Sequence, residues 1–156
     1  MIRQAQPEDQ DALMKLWLPS TIAAHPFVPE TYWHESAALV RDTYLPQAIS
    51  WIYQGQDDIY GFISILNEQL IGALFVRQNY FGQNIGQALM QHAQAQYPAL
   101  TLEVYQKNQR AYHFYRKQGF TVTERTYNEE TQNVILTMQW LYDQYSEKII
   151  SDRINL

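Results

Sequence analysis

The chain of 156 residues carries a net charge of −5, is 46% hydrophobic and 14% aromatic, and contains no cysteine. That length suits one domain burying roughly 70% of the surface of its unfolded chain, and the apolar content excludes a disordered protein. Without cysteine there are no disulfides, thiolate nucleophiles or cysteine zinc sites, and the lack of a long basic run argues against nonspecific nucleic-acid binding.

In chain order, "IRQA" reads as a short first strand, followed by "PEDQDALMKLWLPSTI", a helix opened by Pro7 and early acids and carrying Leu13, Leu16, Trp17 and Ile22 at helical spacing. The loop "AAHPFVPE" breaks it with two prolines, and a second helix resumes through Trp33, Ala37, Val40 and Tyr44. "AISWIY", "IYGFISIL" and "LIGALFV" are three strands joined by two hairpins. A helix follows from about Gln83 to Gln96, stopped by Pro98. Next come the strand "ALTLEVY" and a helix with Asn108 at its N-cap and Gly119 at its C-terminus. "FTVTERTY" and "VILTMQW" form a closing hairpin, which makes a mixed sheet with helices on its faces. Residues 1–140 form the domain, and 141–156 a tail in which Tyr142, Tyr145 and Ile149 have the spacing of a short helix. The N-terminus lacks a signal-peptide pattern and no apolar stretch is long enough to span a membrane, so a soluble, cytoplasmic protein with no membrane partner is expected.

Charge divides unevenly: residues 1–76 sum to −6 and residues 77–156 to +1. Lys107, Arg110, Arg116 and Lys117 fall in a stretch free of acids, which suits a phosphorylated ligand or a solvated helix face, whereas the acidic first half suits a cationic ligand. The turn from Val76 into the helix at Ile85 and Gly86 leaves backbone N–H groups at the positive end of a helix dipole, a setting that accepts phosphate or pyrophosphate, although many ordinary helices begin this way. Gly82 and Gly86 allow close approach. By strand alternation Glu103 shares a face with Thr101 and Tyr105, and Tyr115 projects from the next helix. A carboxylate and a phenol so placed are suited to base and acid work around an amine acyl transfer; a solvent-facing strand acid and a packed tyrosine are the structural alternatives. His25, in the loop between the first two helices, either lines a substrate cleft or is a surface-loop histidine. His34, His92 and His113 share no metal-ligand spacing, so no metal is expected. No serine stands in a nucleophile-elbow setting, which argues against a triad hydrolase.

The element order, "NYFGQNIGQALM" and "LTLEVYQKNQRAYHFYRKQGF" together resemble the GNAT superfamily of acetyl-CoA-dependent N-acetyltransferases, and the similarity runs from Ile2 to about Trp140. "MIRQAQ", "HPF", "LVRDTYL" and "MQW" are similar to the bacterial YiaC and YjaB branch, whose YiaC-type members are described as protein lysine acetyltransferases. The resemblance implies an α/β fold with a mostly antiparallel sheet of about seven strands, four helices on its faces and a splay between the fourth and fifth strands.

It further implies acetyl-CoA as co-substrate. Its pyrophosphate is expected on the loop Phe81, Gly82, Gln83, Asn84, Ile85 and Gly86, where Phe81 replaces the family's Gln or Arg and Asn84 its glycine. Its pantetheine arm is expected along Leu74, Phe75 and Val76, with Asn108 nearby. Tyr115 matches the family's acid for the thiolate, and Glu103 has the spacing of the base in similar ribosomal-protein alanine acetyltransferases. His25, Phe27 and Tyr105 are candidates to line the acceptor site. The expected activity is direct acetyl transfer to a primary amine, a protein lysine or, alternatively, a small cationic amine such as a polyamine, aminoglycoside or amino-acid derivative. A GNAT-like acyl-CoA-binding module without catalysis is the non-enzymatic alternative, and either a monomer or a homodimer fits.

Overall fold

Seven strands, β1 (Ile2–Gln4), β2 (Ile49–Gln54), β3 (Ile59–Leu66), β4 (Leu70–Val76), β5 (Ala99–Tyr105), β6 (Thr121–Asn128) and β7 (Asn133–Leu141), form one sheet in the computed structural model, which describes residues 1–142. The spatial order is β1-β2-β3-β4-β5-β7-β6, and every neighbouring pair is antiparallel except β4 with β5. This is the expected mixed sheet, with the parallel pair β4–β5 where the family resemblance implies a splay. Beyond Tyr142, the expected tail helix lies outside the described residues.

The helices are α1 (Gln10–Ala24), α2 (Glu30–Leu39), the single turn α3 (Leu45–Gln47), α4 (Ile85–Gln96) and α5 (Gln109–Lys117). A 3-10 turn, Pro7–Asp9, precedes α1, and α1 runs on through Pro19. Between α2 and α3 the chain widens into a π-helical stretch, Val40–Tyr44, where sequence periodicity predicts an unbroken α-helix. Gln10 donates its side-chain amide to the Arg41 carbonyl there, tying α1 to that stretch.

Strand alternation sorts the side chains into two cores. Ile63 and Ile65 of β3, Leu100, Leu102 and Val104 of β5, and Leu136 and Met138 of β7 pack with Ile85, Leu89, Met90 and Ala93 of α4, and α5 lies against the same face. Ile52 and Phe62 face the opposite way, onto Leu13, Leu16 and Trp17 of α1, with Trp33 and Ala37 of α2 behind them. Strand β4 departs from the simple rule. Ile71 belongs with the α4 core, yet so do Leu74 and Val76, while Ala73 and Phe75 pack on the α1 side. The register shift beside Ser64 and Ile65, which pair with Ala73 and Ile71, leaves Gly72 as the extra residue and resets the alternation.

Leu89 is fully buried at the centre of the α4 core. Leu89→Ala is therefore expected to cost about 2–5 kcal/mol, read as a lowered urea midpoint at unchanged slope; a loss below 1 kcal/mol would mean that the site collapses around the truncated residue.

Candidate active site

Strands β4 and β5 pair only at Leu70 with Thr101 and Ile71 with Leu102. Beyond Gly72 they part, because β4 stays in register with β3 through Val76 while β5 stays paired with β7 through Tyr105. Arg77 donates its N–H to the Tyr60 carbonyl at 2.8 Å. The two-residue alternation of an antiparallel ladder then turns the amide and carbonyl of Leu74 and Val76 away from β3 and into the gap. Phe75 differs from its two neighbours: its backbone belongs to the ladder with Phe62 and its ring packs on the α1 side, so of the three expected pantetheine contacts it offers no backbone group to the gap.

At the end of β4 the chain enters a 3-10 turn, Gln78–Tyr80. Tyr80 stacks on Tyr60 at 3.7 Å between ring centroids, fixing where the next segment begins. Phe81 through Asn84 form an exposed turn, and α4 starts two residues later than sequence periodicity predicts, at Ile85. Gly82 has φ +83 with no atom within 4 Å of an added Cβ, and Asn84 is left-handed at φ 61. Asparagine tolerates that geometry at modest cost. Its side chain makes no capping bond, and the first helical bond is from the Ala88 N–H to the Asn84 carbonyl at 3.0 Å. The amides of Ile85, Gly86 and Gln87 thus open the helix without a side-chain cap. A Cβ added at Gly86 would lie 3.5 Å from the Phe114 ring and 3.8 Å from a Val76 methyl, so this turn of α4 faces α5 and the end of β4.

Helix α5 is bounded at both ends. Asn108 accepts the Ala111 N–H on Oδ1 at 3.3 Å, the expected N-cap. At the other end the Phe120 N–H reaches the Tyr115 carbonyl at 3.0 Å and the Gly119 N–H reaches that of Arg116 at 3.1 Å, with Gly119 at φ +96. These two bonds make a Schellman cap. Its accompanying apolar contact is between Phe120 and Tyr115, 5.9 Å between ring centroids. Tyr115 is thus held by the backbone and the ring that end its own helix, within the α4 core. Burial, with no charge acting on it, pushes its phenol up to about 12.

The opposite face of β5 carries Glu103 and Tyr105, as alternation predicts. Glu103 is exposed and lines a cleft with Tyr32, Leu70, Gly72, Tyr105 and Asn128. Tyr115 and Glu103 accordingly lie on opposite faces of the sheet rather than side by side. The three residues expected to line the acceptor site do come together: ring centroids are 5.2 Å apart for His25 and Tyr105, 5.5 Å for Phe27 and Tyr105, and 5.7 Å for His25 and Phe27. Sequence reasoning missed Trp33, 5.0 Å from the His25 ring, and Tyr32, reading that helix only for its core spacing. Yet α2 has no fully buried residue. Tyr32 lines the cleft while Trp33 packs between the His25 ring and the Trp17 side of the core, and the proline-bounded "HPFVP" that turns α1 back towards α2 was the available signal.

Electrostatics on this face favour a cation. Burial, with smaller contributions from the Glu103 and Glu130 carboxylates, pushes the Tyr105 phenol up against the opposing effect of Thr131. Tyr32 moves the same way, through burial first, with Tyr105 and Glu130 adding to it. Half-buried His25 donates Nδ1–H to the Thr21 carbonyl at 2.6 Å, since a carbonyl only accepts, and its Nε2 is left as the lone-pair nitrogen. Burial pulls its pKa below the ordinary histidine value despite that bond.

The sign of the resulting pH dependence follows. An unfolded chain protonates this residue near its usual value of about 6.5 while the native state resists, so the stability it contributes is present above that value and is lost as pH falls below it. A ¹⁵N titration is expected to show the Nδ1–H tautomer and a depressed midpoint, and His25→Asn to flatten the loss of stability between neutral and mildly acidic pH. A raised midpoint would refute the assignment.

The acetyltransferase (GNAT) domain matches residues 21–141. Peptidyl-lysine N-acetyltransferase YiaC of Escherichia coli K12 is 42% identical over 140 residues, covering 90% of this chain and 96% of that protein. The solution structure of apo YjaB from Escherichia coli has a TM-score of 0.77 at 31% identity, covering 91% of this chain and 97% of the other. An aminoglycoside 6′-N-acetyltransferase complexed with coenzyme A has a TM-score of 0.65 over 90% of this chain and 96% of that one, a likeness of fold at 18% identity. A domain match over most of the length, joined to a sheet that parts between β4 and β5, establishes that the chain belongs to the GNAT family and is an N-acetyltransferase.

Proposed function

We propose that the chain transfers the acetyl group of acetyl-CoA to the side-chain amine of a protein lysine. The observation that carries this reading is the β4–β5 gap, because it connects the face bearing Tyr115 with the face bearing Glu103, Tyr105 and the His25 cluster. A thioester lying in the gap is approached by the acceptor from the α1–α2 side, while its sulfur departs towards α5. The peptidyl-lysine acetyltransferase name of the 42% identical relative supports the acceptor class, as does the acidic, aromatic lining of the cleft.

The uncapped amides at the start of α4, with Gly82 open beside them, suit the pyrophosphate of the donor, and the gap-facing backbone of Leu74 and Val76 suits its pantetheine amides. Asn108 caps α5 just after β5, with its side-chain oxygen engaged by the Ala111 N–H and its side-chain N–H₂ still a donor. When bound, the donor supplies an activated acyl group. Glu103, exposed and able to act through water, takes the proton of the incoming ammonium so that a neutral amine attacks. Tyr115, protonated far above neutral pH, donates to the sulfur as negative charge develops there. The C–N bond forms and the C–S bond breaks; the second proton, lost from the acceptor nitrogen as the tetrahedral adduct collapses, passes through water to restore the Tyr115 phenol, and the proton held by Glu103 is released to solvent.

Tyr115→Phe is expected to lower kcat at least about 100-fold with a smaller change in the KM for acetyl-CoA, and Glu103→Gln to depress the acidic and neutral side of the pH profile most, with recovery at high pH where the acceptor amine is already neutral. Acetyl-CoA incubations with lysine peptides, folded proteins, polyamines and aminoglycosides, followed by mass spectrometry, test the acceptor. Product on lysine side chains supports the proposal. Product on the small amines alone transfers the same chemistry to that acceptor class, and no product with any amine, together with no acetyl-CoA binding, removes the catalytic reading.

A further inference from the structure

Phe81 begins the α4 loop at the position where the family's motif has Gln or Arg, so the loop brings no cationic side chain of its own. It is also a large apolar residue left 43% exposed. Its ring is nevertheless occupied: the guanidinium carbon of Arg110, in the first turn of α5, lies 4.1 Å from the ring centroid. A cation held over an aromatic ring spends none of its N–H donors on a conventional acceptor, so they remain for other partners. Among the described residues the ion pairs are Arg3 with Asp9, Arg41 with Asp42 and Arg77 with Asp58, none of which engages Arg110. No acid stands in the first turn of α4 or of α5 to neutralise it. An unpaired fork of donors is therefore parked on the residue that precedes Gly82, at the mouth of the loop whose amides open α4.

We infer that Arg110 supplies from α5 the cation that the loop lacks, binding a phosphate of the donor, and that Phe81 is its platform. The inference rests on acetyl-CoA being the donor. Phe81 then changes the source of the positive charge and keeps the charge itself. The ring holds the long Arg110 side chain near its working position before the ligand arrives, which reduces the conformational freedom lost on binding. Arg110 is a donor-binding residue and takes no part in acyl transfer.

Calorimetry and kinetics with two donors test this: acetyl-CoA, and S-acetylpantetheine, which has the thioester arm and no phosphate. Arg110→Ala is expected to weaken acetyl-CoA binding about 10- to 100-fold, the range of a charge-assisted hydrogen bond. The kcat/KM preference for acetyl-CoA over S-acetylpantetheine should fall by the same factor. Adding Phe81→Arg to Arg110→Ala should restore most of the lost affinity, because the cation returns to the loop. A merely structural staple predicts otherwise, since both donors would suffer together and Phe81→Arg would give no rescue. Unchanged acetyl-CoA affinity in Arg110→Ala, or an equal loss with both donors, overturns the inference. Failure of the unmodified protein to bind acetyl-CoA is a separate result and overturns the donor assignment itself.

Discussion

The bulge at Gly72 is the constraint on which the site depends. Two parallel pairs, at Leu70 and Ile71, join the halves of the sheet, and the extra residue then redirects β4 just where its pairing with β5 ends. Backbone groups lost to a sheet are costly when buried without partners. Here each strand keeps a full ladder on its outer edge, β4 with β3 and β5 with β7, so the exposed inner edges are the whole cost of opening the gap. Those edges face the cleft and are available to an extended ligand with amides of its own. The same bulge resets side-chain alternation, which keeps Leu74 and Val76 over the α4 core while Phe75 faces α1.

Most of the fold was legible because its signals are local. The bounds of β3, β4 and β5 coincide with runs of apolar residues flanked by turn residues, and the ends of α5 with Asn108 and Gly119. The pattern "FYRKQGF" is a stability device as well as a family mark: the glycine permits the left-handed turn, and the following phenylalanine completes the cap against Tyr115. The features that escaped sequence reading are those decided by tertiary contact. Period-two reading places Ile71 with Ala73 and Phe75, and only pairing with β3 reveals the bulge. The start of α4 is set by Asn84 in a left-handed conformation, which propensity does not predict.

For the site, alternation foresaw that Glu103 and Tyr105 share a face, whereas the loop position of His25 left a cleft residue and a surface-loop histidine both open, and only the ring contacts set it against Tyr105 and Phe27. Alternation was silent on Tyr115 lying across the sheet from Glu103, because residues on a strand and on the next helix meet or part according to which face the helix covers. It was silent too on Trp33 and Tyr32. Helical spacing reads Trp33 as core and passes over Tyr32, and only the folded contacts show that Trp33 also meets the His25 ring and that Tyr32 lines the cleft.

The connection from β5 to α5 joins these two sides physically. Lys107 Nζ stands 5.9 Å from the Phe27 ring centroid on the acceptor side, and Arg110, three residues on, sits over Phe81 on the loop that opens α4. Between them Asn108 caps the helix, and at the helix's far end the Schellman bonds hold Tyr115. A nine-residue helix capped at both ends has little freedom to fray, so residues at its two ends keep a fixed separation. Displacing its first turn would move the cation over Phe81, the Phe114 ring that faces Gly86 and the carbonyl that anchors Tyr115 as one body. The precision of the site therefore rests on the caps of α5 as much as on the residues that would touch a substrate.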